Sequence, residues 1–198
     1  MRSSAFILGA LVASTSLSGT ALAAELEKAV FAGGCFWCME EVFEKVAGVA
    51  SVVSGYSGGE ADNPTYEQVS SGGSGHYEVV EVEYDPDQVS YEQLLEAFWH
   101  NVDPFDARGQ FCDKGSQYLS AVFFGDEEEQ KLAESTKEAV ATRFDMPVVT
   151  EVLPAATFYP AEDYHQDFYK TNSARYNYYK FGCGRVQRLE EVWGKPAT

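Results

Sequence analysis

Cys35 and Cys38 stand three residues apart where a short apolar run meets paired glycines and then aromatics: Phe31-Ala32-Gly33-Gly34-Cys35-Phe36-Trp37-Cys38. Thiols so spaced can attack an electrophilic sulfur, exchange with a disulfide or ligate zinc, and the CxxC spacing alone serves all three. Their surroundings read as strand, tight turn and helix. Ala29, Val30 and Phe31 form the strand, Gly33 and Gly34 the turn, and Met39, Val42, Phe43 and Val46 recur at helical spacing. Cys35 therefore falls at a helix start, where unpaired N–H groups and partial positive charge favour an anion. Such a setting brings a thiol from about 8.5 down to roughly 3.5–7.5, so Cys35 is expected to be largely ionised at neutral pH and to be the nucleophile. Cys38, one helical turn on, lies within reach of a reversible disulfide.

A second candidate comes from strand alternation. His76, Glu78, Val80, Val82 and Tyr84 share one face of a strand over residues 76–84, while Glu81 and Glu83 share the other. The first face looks inward. Glu78 is thus a carboxyl among mostly apolar neighbours, where desolvation raises its pKa and keeps it protonated as a proton donor.

The elements that must position these groups follow in order. The first helix stops near Gly48, Val49–Ser54 forms a second strand, and a long loop runs from Gly55 to Gly75 with Tyr66 in its Asn63-Pro64-Thr65-Tyr66 turn. Loops of that length in a compact domain are more often functional than idle. After the strand at 76–84, Ser90 and Gln93 form a capping box for a helix through Trp99. A polar loop over residues 103–116 carries Cys112 and Asp113, Gln117–Phe124 is a strand, Asp126–Phe144 a helix and Val148–Leu153 a short strand. The β-α-β-β-α-β order predicts an α/β fold of the α+β sandwich type: a ferredoxin-like split βαβ core with one mixed sheet, plus an extra helix and strand. A short helix is expected from Pro160, and an irregular aromatic tail from Thr171 holds Cys183 between two glycines, as a mobile cysteine.

With 198 residues, 45% hydrophobic, the chain can bury one sizeable core. Residues 1–23 read as a secretory signal, with Arg2, an apolar stretch from Ala5 to Ala13 and Ala21-Leu22-Ala23 as cleavage site, leaving residues 24–198 as a single catalytic domain. The protein is expected to be exported, in the periplasm, with no membrane attachment after signal removal. Beyond residue 23, 13 basic residues face 31 acidic ones, a net charge of −18, which makes nucleic acid a poor partner. Four cysteines in an oxidising space allow two disulfides, but a chain of this size does not need staples, and reactive thiols kept by an outside reductant are the favoured reading.

Gly34-Cys35-Phe36-Trp37, Asn63-Pro64-Thr65-Tyr66, Gly75-His76-x-Glu78, Asp113-x-Gly115-x-Gln117-Tyr118 and Tyr164-His165-Gln166 occur in this order. Over residues 27 to 194 the chain resembles the peptide-methionine (S)-S-oxide reductases, methionine sulfoxide reductase family A. The resemblance implies thiol-dependent reduction of methionine S-sulfoxide, free or in proteins, as repair after oxidation. It makes Cys35 the nucleophile that becomes a sulfenic acid, Glu78 the proton donor, and Tyr66 and Tyr118 the hydroxyls that hold the sulfoxide oxygen. Phe36 and Trp37 wall the substrate methyl group, and Asp113 helps arrange the site. The resolving cysteine is Cys38 first and Cys183 second, with Cys112 a third possibility. It also implies a thioredoxin-like reductant, oxidised methionine in proteins and peptides as partner, and a monomer. His165 is left as structural.

Two other readings stand beside this one. A thiol-disulfide oxidoreductase would use Cys35 and Cys38 on client disulfides and be indifferent to Glu78. A cysteine-ligated metal protein is disfavoured by the lack of a second CxxC or a paired histidine motif, and no metal is expected. No nucleotide, flavin or haem motif is apparent and no cofactor is implied, since two thiols supply both electrons.

Overall fold

The computed structural model describes residues 25–195, so the signal expected over residues 1–23 lies outside it. Strand β1 (Glu27–Gly33) is followed by helix α1 (Phe36–Glu44) and strand β2 (Val49–Ser57). Helix α2 (Tyr66–Ser70), strand β3 (Tyr77–Tyr84) and helix α3 (Tyr91–Trp99) come next. A small hairpin, β4 (Gly109–Gln110) and β5 (Asp113–Lys114), leads through a 3-10 turn (Ser116–Tyr118) to β6 (Ser120–Phe124). Helix α4 (Glu127–Phe144), β7 (Glu151–Pro154), β8 (Tyr159–Pro160) and a 3-10 turn (Asp163–His165) follow. Three helices close the described chain: α5 (Phe168–Thr171), α6 (Ser173–Gly182) and α7 (Arg185–Trp193).

The six-stranded sheet has the order β7-β6-β1-β3-β2-β8. Strand β3 lies antiparallel between β1 and β2, which is the split βαβ arrangement, and β6 flanks β1 antiparallel. Parallel β7 makes the sheet mixed, and β8 covers the edge of β2. The predicted fold class holds.

Packing follows from the apolar pattern. Phe31 of β1, fully buried, stacks on Phe43 of α1 at 4.8 Å and on Phe98 of α3 at 5.5 Å between ring centroids. The inward face of β3 is as its alternation predicts, with Glu78, Val80, Val82 and Tyr84 all buried. The opposite face is only partly wet, because Val79 joins Ala32, Ala121 and Phe123 in a smaller cluster. Ser90 and Gln93 form the predicted capping box of α3, and Asp126 caps α4 by accepting from the N–H groups of Glu128 and Glu129.

Several local expectations give way. The long loop from Gly55 is shorter, since β2 runs on to Ser57 and α2 forms under a Thr65–Gln68 capping box. The strand expected from Val148 begins at Glu151, and the helix expected from Pro160 is a strand end, a 3-10 turn and a single helical turn. The tail is not irregular: Tyr176, Tyr179 and Cys183 recur at helical spacing in and just past α6. The two tyrosine hydroxyls, bonded to acidic side chains, stand where aliphatic side chains would announce a helix face. Among the described residues no helix is long and apolar enough to cross a membrane.

Candidate active site

The turn after β1 places the first cysteine, and its two glycines do different work. Gly34 takes a positive φ of 78°, whereas Gly33 makes room, since a Cβ there would lie 2.5 Å from Met39 Sδ. Cys35 is the N-cap of α1, and its carbonyl accepts from the Cys38 N–H at 3.1 Å. The free N–H of Phe36, the donor expected to stabilise a thiolate, instead donates to Glu78 Oε2 at 3.1 Å. That bond joins the two candidate groups across 42 residues of sequence.

A small cavity of about 80 Å³ opens over this junction. Cys35, Phe36 and Trp37 enter it from α1, Tyr66 from the first turn of α2, and Glu78 from β3. Asp113 comes from β5 and Tyr118 from the 3-10 turn after it. The six residues singled out for nucleophile, proton transfer, oxygen binding and methyl-group walls, and Asp113 expected to arrange them, therefore meet in one place. Tyr179 of α6 also lines the cavity and was missed: its hydroxyl donates to Asp113 Oδ2 and its ring packs against the cluster that holds Cys35. Its position four residues before Cys183 was the available signal.

His165, set aside as structural, is part of the wall behind the cavity. It accepts from Trp37 Nε1 at 3.1 Å and lies 4.9 Å from the Phe36 ring and 4.4 Å from the Tyr66 ring. Glu162, also missed, accepts the Tyr66 N–H and the Tyr56 hydroxyl, both at 2.9 Å. Trp37 is fixed from its other side by stacking on Phe168 at 3.8 Å. The aromatic wall is thus held rigid by contacts from residues that are distant in sequence.

Burial sets the protonation states. Glu78 is pushed up to about 8, chiefly by desolvation against the opposing Phe36 N–H bond, so it is protonated at neutral pH as its strand position predicts. Cys35 departs from expectation. Desolvation, followed by its hydrogen bond with Cys38 and the nearby Glu78, pushes its thiol well up instead of down. Cys38 is lowered to about 6, first by that same hydrogen bond. Burial first, and then the neighbouring Cys38 and Glu78, thus favour keeping the proton on Cys35, while the helix-terminal N–H of Phe36 is engaged by Glu78. Tyr66 and Tyr118 are both raised, mainly by desolvation, and stay neutral donors.

The two candidates for a resolving thiol stand differently. Cys38 is free, buried and packed in one cluster with Cys35, which is also free. Cys183 is not a mobile thiol: it caps α6 and forms a disulfide with Cys112, Cα to Cα 4.9 Å, with Asp113 Oδ2 3.9 Å from the Cys183 sulfur. One disulfide therefore stands beside one reduced pair, in place of the four thiols favoured from composition.

Known proteins resemble this chain in sequence and fold. A family model for peptide methionine sulfoxide reductase matches residues 27–197. The peptide methionine sulfoxide reductase MsrA of Halalkalibacterium halodurans is 51% identical over 172 residues, 86% of this chain and 98% of that protein. MsrA of Bacillus subtilis is 49% identical over 170 residues, 85% of this chain and 96% of that protein. Among solved structures, reduced Mxr1 from Saccharomyces cerevisiae matches with a TM-score of 0.72 at 27% identity, covering 80% of this chain and 93% of that one. Methionine sulfoxide reductase A of Corynebacterium diphtheriae matches at 0.68 and 31%, covering 75% and 76%. A free cysteine pair beside a buried, protonated carboxyl suits the reaction those names describe. The chain belongs to the peptide methionine sulfoxide reductase family, and its activity is the thiol-dependent reduction of methionine sulfoxide.

Proposed function

We propose that the chain reduces the S epimer of methionine sulfoxide, free and in proteins, with Cys35 as nucleophile, Glu78 as proton donor and Cys38 as first resolving thiol. The observation that carries this reading is the Phe36 N–H bond that holds a buried, protonated Glu78 at the mouth of the helix bearing Cys35. As substrate enters, the proton on Cys35 moves to Cys38, and the Cys35 thiolate attacks the sulfoxide sulfur. Glu78 gives its proton to the oxygen, with Tyr66 and Tyr118 holding that oxygen as it gains charge. Methionine leaves and Cys35 carries the oxygen as a sulfenic acid. Cys38 then displaces water to give the Cys35–Cys38 disulfide. A dithiol reductant of the thioredoxin type restores the pair, and Mxr1, the yeast relative, has itself been solved in complex with Trx2.

The nucleophile approaches the sulfur itself while the hydroxyls hold its oxygen and the Phe36–Trp37 wall its methyl group, so a single epimer can satisfy all three. Turnover of dabsyl-methionine S-sulfoxide and R-sulfoxide, assayed separately with dithiothreitol, is expected to be confined to the S form. Equal turnover of both, or of neither, refutes the proposal.

The Arg2, apolar and Ala21-Leu22-Ala23 pattern supports export. Mass spectrometry of the protein expressed in a Gram-negative host should find a mature chain starting near Ala24 in the periplasmic fraction. An uncleaved chain confined to the cytoplasm would refute export.

A further inference from the structure

Cys38 is absent from the lining of the substrate cavity but lines a larger one, about 660 Å³, together with Val42 of α1, Asn101 after α3 and Arg185, Leu189 and Trp193 of α7. Arg185 is the anomaly in that wall. Its side chain is 3% exposed, yet its guanidinium donates only to the Asn101 carbonyl at 2.6 Å and to Met39 Sδ at 3.1 Å, and lies 4.5 Å from the Phe111 ring. A buried charge without an opposite charge is costly. Nearby Lys180 and Arg188 are matched by Glu41 at 2.5 Å and Asp103 at 2.7 Å, whereas among the described residues no carboxylate is paired with Arg185. Asp113 feels the same cation, but one of its oxygens is taken by Tyr179.

Cys38, the residue before Met39, lines the same cavity as Arg185 and feels its charge, so a Cys38 thiolate is the anion that would answer the guanidinium. We infer that Arg185 is a positioning residue for the resolving step, a buried cation that holds Cys38 as the thiolate that attacks the Cys35 sulfenic acid. This rests on the reading of Cys38 as resolving thiol. In that step an Sγ–Sγ bond forms and the Cys35 S–O bond breaks. The oxygen leaves as water, with its own proton and the one Cys38 gave up, and no outside reductant enters. The Cys112–Cys183 disulfide serves the same end. Phe111, which packs on Arg185, precedes Cys112, and Arg185 itself follows Cys183 by two residues, so the bond fastens together the two segments that meet on the guanidinium.

The test uses the mature protein reduced at Cys35 and Cys38 and mixed with methionine S-sulfoxide without reductant, with methionine and dimedone-reactive sulfenic acid followed by mass spectrometry. In R185Q the first methionine should still form, while the sulfenic acid persists about tenfold longer than in the parent, and R185K should fall between the two. C38S separates the premises. If its sulfenic acid decays at the parental rate, Cys38 is not the resolving thiol and the reading beneath fails. If it persists in C38S but decays at the parental rate in R185Q, the role of Arg185 is refuted.

A second readout needs no turnover. The groups facing Cys38 are Cys35, Arg185, Tyr176 and Lys180, with Glu78 and Tyr179 acting on it as well. In a C35S background, the thiolate absorbance of Cys38 near 240 nm should titrate about one pH unit higher when Arg185 becomes Gln, with Lys intermediate. A midpoint that neither variant moves overturns the proposal.

Discussion

Cys35→Ser is expected to lower methionine sulfoxide turnover by about four orders of magnitude or more, to background. A hydroxyl at this buried N-cap is far less acidic than a thiol, so Cys38 cannot draw off its proton as it does that of Cys35, and the neighbouring carboxyl, Glu78, is itself protonated. Cys38 cannot take over, although it is the more acidic thiol of the pair, since it does not line the cavity where Glu78, Tyr66 and Tyr118 converge. Acidity and access thus point to different sulfurs, and the variant decides which governs. The check is product formation from dabsyl-methionine S-sulfoxide under dithiothreitol. Residual activity above about a hundredth of the parent would move the nucleophile to Cys38.

Glu78→Gln should lower kcat/KM by roughly 10² to 10⁴, the range for loss of a positioned general acid. The amide preserves shape and can still accept from the Phe36 N–H, so binding should suffer less than the chemical step. Because the working form is the neutral acid, parental activity should fall as pH rises through about 8, and that limb should vanish in the variant. Stability follows the same proton with a definite sign. The folded carboxyl titrates above its unfolded value, so its favourable contribution is complete below the ordinary glutamate range and is lost as pH rises through about 8. Thermal unfolding should therefore show the variant gaining on the parent as pH rises from about 4.5 to about 8, with no further gain above that. Glu40 provides the control. It is 1% exposed, is raised to about 7 by desolvation and leaves Oε2 without a partner, so Glu40→Gln should share the stability gain and spare the activity. Equal losses of activity in the two variants would refute the special role of Glu78.

Much of this was written locally. The order of strands and helices, the helix start under Cys35, the capping box at Ser90 and the inward face of Glu78 are all set by residues within a turn or a few strand positions of one another. Composition and periodicity carry that information directly. The split βαβ core followed because few topologies accommodate the order β-α-β-β-α-β.

What tertiary structure alone decided is how segments far apart in the chain meet. No local pattern pairs Cys112 with Cys183 across 71 residues, brings Tyr179 from α6 against the Cys35 cluster, or leaves Arg185 buried with no carboxylate paired to it among the described residues. The ionisation of Cys35 is the clearest case. The sequence by itself determined that a thiol begins a helix, and so that donors would be at hand. Only the fold determined that β3 delivers Glu78 to the Phe36 N–H and that the thiol is buried. Burial first, and the nearness of Cys38 and Glu78 after it, raise the Cys35 thiol where its helix position alone would lower it, because a pKa is fixed by every charge and every water that the surrounding structure admits or excludes.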